Sequence, residues 1–195
     1  MTALRSVCVF CGSLPGALPD YLQSARDLGA ALAQRGITVV YGGGHIGMMG
    51  ALADSALAAG GRVVGVIPQH LMRPEVAHQG LTELQVVDSM HTRKRMMASR
   101  ADAFVVLPGG YGTLEEMFEM ITWRQLQLHA RPVGLVNVAG FFDQLLAFLH
   151  QATQQEFIRP QHRRLLTVAP NVDTLLDAIA RQARRPAAAT RIERG

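Results

Sequence analysis

One lysine, two cysteines, one tryptophan and 17% charged residues leave several kinds of protein without material in these 195 residues. Two cysteines are too few for a disulfide framework or for a four-cysteine zinc module. Aromatics make up 6% of the chain, and none interleaves the basic run Arg93-Lys94-Arg95. A surface that stacks bases needs such rings, so no nucleic-acid partner is expected. The longest apolar runs are only strand-length, so no membrane span is expected either. Arg5 is not followed by a long apolar segment and a small-residue cleavage site, so a secretory signal is not expected and the cytoplasm is the expected compartment. The formal charge is +4, but Arg184 to Gly195 holds four arginines against one glutamate, three of those four net charges, which leaves the rest at +1. That segment is Pro/Ala-rich and poor in apolar residues, as in a disordered terminus. The expected organisation is one domain over 1–182 and a basic tail over 183–195.

Hydrophobic residues make up 49% of the chain, enough to close one core at this length. Strand-length apolar runs recur at Val7 to Phe10, Ile37 to Tyr41, Val63 to Ile67, Leu84 to Val87, Ala101 to Leu107, Val133 to Val138 and Leu165 to Ala169. Between them lie helical patterns, such as Leu18, Leu22, Ala25, Leu28 and Leu32, ended by Gly36. Pro68 reads as the break after the third strand, and Thr92 to Arg100 as a helix. Strands alternating with helices predict an α/β fold, a Rossmann-like parallel sheet with helices on both faces. Ligands of such sheets bind beyond the carboxyl ends of the strands.

Cys8 and Cys11 form a C-x-x-C pair, but within a strand such residues point to opposite faces, which predicts two packed thiols rather than a redox couple. Gly42, Gly44 and Gly47 satisfy G-x-G-x-x-G after a strand and before a helix. A dinucleotide site also wants an acid about 20 positions on, and Gly65-Val66-Ile67-Pro68-Gln69 supplies none. The loop therefore reads as a mononucleotide phosphate or ribose contact, or as a tight turn that only packs.

The most informative segment is Leu107-Pro108-Gly109-Gly110-Tyr111-Gly112-Thr113-Leu114-Glu115-Glu116. It ends a strand, turns on glycines and opens a helix, read from Thr113, whose free amides and dipole suit a phosphate. Glu115 and Glu116 either complement that dipole or supply a reacting carboxylate. Adjacent helical positions differ by about 100°, so at most one faces a ligand.

This segment matches the pattern PGGxGTxxE, and the chain resembles the Lonely Guy (LOG) family of cytokinin riboside 5′-monophosphate phosphoribohydrolases. Ser89-Met90-His91-Thr92-Arg93-Lys94 resembles the family's MHxRK element, Tyr41 to Gly50 its first glycine loop, and Met72-Arg73-Pro74-Glu75 the stretch with a substrate-binding glutamate. Agreement in order and spacing runs from about Ser6 to beyond Leu146. The resemblance implies hydrolysis of a nucleoside 5′-monophosphate, cytokinin riboside 5′-monophosphate or AMP, to free base and ribose 5-phosphate. It implies Arg93 and Glu116 as catalytic, and Glu75, Arg93, Lys94, Gly110, Tyr111, Gly112, Thr113, Glu116 and Thr122 as substrate-binding. It further implies a homodimer. Neither a metal nor a cofactor is expected. Family members have been called lysine decarboxylases, yet Lys94 is the only lysine and lies between two arginines. His91 reads as a proton donor or as a structural cap, and Met96, Met97, Met117 and Met120 as an interface or as ordinary core. The alternative function is a non-catalytic carrier of a nucleotide or of molybdenum cofactor, since proteins of related fold hold phosphate on similar loops. Such a carrier needs no carboxylate beside an anion.

Overall fold

The computed structural model describes residues 4–73 and 76–184. Seven strands form one parallel sheet: β1 (Ser6–Phe10), β2 (Thr38–Tyr41), β3 (Val63–Pro68), β4 (Glu83–Val87), β5 (Ala103–Val106), β6 (Val133–Val136) and β7 (Leu166–Ala169). Their order is β4-β3-β2-β1-β5-β6-β7, so the winding reverses between β1 and β5. This is the expected Rossmann-like architecture, and a crevice forms at such a reversal.

Among the described residues, seven α-helices accompany the sheet: α1 (Pro19–Gln34), α2 (Gly47–Ala58), α3 (Met90–Ser99), α4 (Tyr111–Gln125), α5 (Asp143–Gln154), α6 (Pro160–Arg163) and α7 (Val172–Ala183). One face of the sheet packs α1, α2 and α7 through Val7, Val9, Leu28, Leu32, Leu52 and Ile179. The other packs α3, α4 and α5 through Phe10, Phe104, Met97, Met117, Met120 and Leu149. Burying each such side chain contributes roughly 1.5–3 kcal/mol, and both faces of the central strands benefit. Met97, Met117 and Met120 therefore serve the core, and Met96 packs against it partly buried. Cys8 and Cys11 are both buried free thiols, one in each half of the core, as their spacing requires.

Several boundaries differ from the sequence reading for local reasons. Pro68 closes β3 instead of breaking it, pairing with Val87. The β2 pairing has already stopped at Gly65, so the missing amide of Pro68 interrupts no ladder on that side. Helix α3 begins at Met90 because Ser89 is its N-cap, its hydroxyl accepting from the Thr92 amide at 3.1 Å. Helix α4 begins at Tyr111, with Gly110 as an extended N-cap. The short α6 carries no hydrophobic period and gave no sequence signal. At the far end of α4, burial lowers the His129 imidazole to about 4. The neutral ring donates from Nε2 to the Met120 carbonyl at 3.0 Å and accepts at Nδ1 from the Arg131 amide at 3.1 Å.

Candidate active site

The loops after β1 and β5 meet at the winding reversal, where the Gly12 amide donates to the Pro108 carbonyl at 2.9 Å. A Cβ on Gly109 would collide with Thr113 Oγ1 and crowd the Gly12 nitrogen at 2.8 Å, so this crossing demands glycine. Thr113 is correspondingly buried beneath the turn. Because α4 starts at Tyr111, its first-turn amides are those of Tyr111, Gly112 and Thr113; the first backbone bond of the helix runs from Leu114 to the Gly110 carbonyl. Gly110 and Gly112 face open space where a side chain would begin. Tyr111 is 94% exposed at the same rim. The result is a recess of free amides at the positive end of a 15-residue helix, the arrangement that receives a phosphate.

Beside it lies a buried ion pair. Arg93, from α3, donates from Nη1 to Glu116 Oε1 at 2.9 Å, and both side chains are only 8% exposed. The guanidinium also donates from Nε to the Val66 carbonyl at 3.0 Å and from Nη2 to the Gly42 carbonyl at 3.3 Å. Three of its five N–H groups are thus held by protein, which leaves two for a ligand. Burial pushes the Glu116 carboxyl above the usual glutamate range, while the Arg93 charge pulls it back. A carboxylate and a guanidinium kept together in this way are poised for electrostatic work rather than for surface solvation.

The first glycine loop packs closely around Arg93, while its His45 and Gly47 also line a neighbouring cavity. A Cβ on Gly42 would collide with Arg93 Nη2, one on Gly47 with the Ser13 carbonyl, and one on Gly50 with the His45 carbonyl. The glycine at position 42 is thus what admits Arg93 to the turn. The Tyr41 hydroxyl donates to the Gly44 carbonyl at 3.0 Å and the His78 amide to the Gly43 carbonyl at 2.9 Å, which stiffens the turn from both sides.

Helix periodicity separates the two adjacent glutamates. Glu116 faces inward, whereas Glu115 is exposed and pairs with Lys94, whose ammonium also donates to Glu119 Oε1 at 3.1 Å. Burial alone would lower the Lys94 pKa, but these two carboxylates outweigh it and raise it. A Schiff-base lysine needs the opposite shift. His91 is exposed on the first turn of α3, and Thr122 is exposed two turns beyond the Arg93–Glu116 pair on α4. Glu75 lies outside the described residues, as does the tail beyond Arg184. Sequence reasoning missed the Val66 and Gly42 carbonyls, which carry no side-chain signal. It also missed Glu119, whose spacing of four from Glu115 could have disclosed it.

A cavity of about 550 Å³ lies on the α1–α2 side of the sheet, lined by Pro15, Leu22, Arg26, His45 and Ala51 among others. It includes neither Arg93 nor Glu116 and is not the crevice described here. Among the described residues no group of His, Cys, Asp and Glu is arranged to hold a metal ion. Among them, too, no helix is long and apolar enough to cross a membrane.

A family model described as "Possible lysine decarboxylase" matches residues 49–179. A probable cytokinin riboside 5′-monophosphate phosphoribohydrolase of Oryza sativa subsp. japonica is 51% identical over 172 residues, 88% of this chain and 76% of that protein. The chain belongs to the Lonely Guy (LOG) family. A cytokinin riboside 5′-monophosphate phosphoribohydrolase of Arabidopsis thaliana is 47% identical over 88% of this LOG-family chain and 79% of its own length. Among solved structures, the molybdenum cofactor carrier protein of Chlamydomonas reinhardtii superposes with a TM-score of 0.70 at 20% identity, covering 93% of this chain and 99% of that one. That likeness is one of fold alone.

Proposed function

We propose that this LOG protein hydrolyses the N-glycosidic bond of a nucleoside 5′-monophosphate, cytokinin riboside 5′-monophosphate or AMP, releasing the free base and ribose 5-phosphate. The observation that carries this reading is the buried Arg93–Glu116 pair set beside the open first turn of α4. In the reaction the bond between C1′ and the base nitrogen breaks, the electron pair leaves with the base, and water adds to C1′, its hydroxyl staying on the sugar and the balancing proton ending on the base. Positive charge builds on the ribose, as in other glycosyl transfers. The Glu116 carboxylate stabilises that charge, and Arg93 favours its ionised form against the effect of burial and offsets negative charge on the leaving base. The amides of Tyr111, Gly112 and Thr113 receive the 5′-phosphate, so binding far from the reacting bond helps to position it. Lys94 and Thr122 are assigned to substrate only by family likeness, and Glu75 likewise.

The test is base release from AMP and from isopentenyladenosine monophosphate, each against its unphosphorylated nucleoside. Both nucleotides are expected to be cleaved, with kcat/KM at least about 100-fold above the nucleosides. Tight nucleotide binding with no base released would instead identify a carrier.

We also infer a homodimer. Leu126, Leu128, Phe148 and Phe157 are 61%, 67%, 61% and 89% exposed on or just after α4 and α5, large apolar side chains that a second copy of the chain would cover. Light scattering on the purified protein should give twice the 21.1 kDa chain mass; a monomer at micromolar concentration would reject this.

A further inference from the structure

The two reacting residues hang from strands that do not touch. Helix α3 follows the edge strand β4 and α4 follows β5, with β3, β2 and β1 between them in the sheet. Pairing of neighbouring strands therefore does not align Arg93 with Glu116; apolar packing of α3 and α4 on one face of the sheet and side-chain ties across the strand ends do so. The structure holds two such ties, side by side. The inner one is Arg93–Glu116; the outer one joins Lys94, the next residue on α3, to Glu115 and Glu119 on α4.

The outer tie is built rather than incidental. Lys94 and Glu119 are 15% and 19% exposed, unlike the solvated ion pairs of an ordinary surface. Glu119 Oε2 is buried with no hydrogen-bond partner, so this carboxylate depends on Lys94 for its compensation. Glu115 and Glu119 are four residues apart on one helical face, where like charges repel unless a cation bridges them. Lys94 bridges them, and its ammonium is thereby engaged on the α4 side.

We propose that Glu119 is a positioning residue, which through Lys94 fixes α3 against α4 and so sets the Arg93–Glu116 geometry. On this account Lys94 serves the alignment of the reacting pair in addition to any contact it makes with substrate. The kinetic part of the test rests on the hydrolase reading above.

Glu119→Gln and Lys94→Met preserve side-chain bulk and are compared with the parent enzyme for melting temperature, kcat and KM. Each is expected to lower kcat about ten-fold, Glu119→Gln with KM changed less than about two-fold, and the double variant to be no worse than the weaker single. An unchanged kcat in Glu119→Gln would overturn the proposal.

A second readout needs no turnover: the carboxyl carbon of Glu116 followed by NMR against pH. Loss of a nearby negative charge in Glu119→Gln would by itself lower the Glu116 midpoint, whereas loosening of Arg93 would raise it. A rise is expected; an unchanged or lowered midpoint would refute the tie, whether or not the parent enzyme releases base.

Discussion

Glu116→Gln should lower kcat for base release by about 10²–10³-fold, the range seen when one preorganised charge-stabilising group is removed from a reacting centre. Glutamine keeps an oxygen that can accept from Arg93 Nη1, now at 2.9 Å from the carboxylate, so the loss reflects charge rather than shape. Alanine would be a poorer choice. It would leave a guanidinium buried without its anion, a change that typically costs about 3–5 kcal/mol.

The parent enzyme should also lose activity in acid, and the direction follows from the site. Burial raises the Glu116 carboxyl above the usual glutamate range, so it takes up its proton at a higher pH than an exposed glutamate does. A reaction that needs the carboxylate therefore rises with pH through that elevated midpoint. The residual activity of Glu116→Gln should lack this limb. For stability the same shift has the opposite sense: the folded state holds the proton longer than the unfolded chain, so raising the pH through that window weakens folding, in part offset by Arg93. A kcat–pH profile for parent and variant, with melting curves beside it, reads both effects. An unchanged kcat in Glu116→Gln would remove the carboxylate from the reaction.

The second large effect is expected at a residue with no side chain. Gly42→Ala should lower kcat about 100-fold, since a displacement of roughly 1 Å in a reacting group is enough for such a loss. The Gly42 backbone is not in the left-handed region, so alanine is conformationally acceptable there. Its Cβ would nevertheless collide with Arg93 Nη2. Arg93 has nowhere to retreat while it is tied to Val66 and Glu116, so the guanidinium must leave its seat or the turn must move. The deciding measurement is a double-mutant cycle. Once Arg93→Ala has removed the obstruction, adding Gly42→Ala should cost nothing further in kcat or melting temperature. Independent, additive losses would mean that Gly42 acts on something other than Arg93.

Much of this architecture was legible because apolar runs of strand length alternate with helical periods, which dictates a parallel sheet covered on both faces. That at most one of Glu115 and Glu116 faces a ligand was legible from the helical period; that it is Glu116 came from the family resemblance. What the sequence did not disclose lies in backbone chemistry. Nothing in Val66 or Gly42 as residue types announces that their carbonyls will receive a guanidinium from an edge-strand helix. The first glycine loop was opaque in the same way: its spacing evokes a ligand cradle, and nothing in it announces that a Cβ at Gly42, Gly47 or Gly50 would meet Arg93 or the protein's own carbonyls. Only the second loop leaves Gly110 and Gly112 facing space, and spacing alone does not distinguish a filled glycine from an empty one.

Cys8 and Cys11 stand on opposite sides of β1, each fully enclosed, with burial pushing both thiols up. A thiol reagent can reach neither until the layer above it lifts. The chain thus carries two native clocks, one timing the release of the helices α1, α2 and α7, the other that of α3, α4 and α5. If the layers part together the two sulfurs react at one rate; if the catalytic layer breathes first, Cys8 is labelled ahead of Cys11.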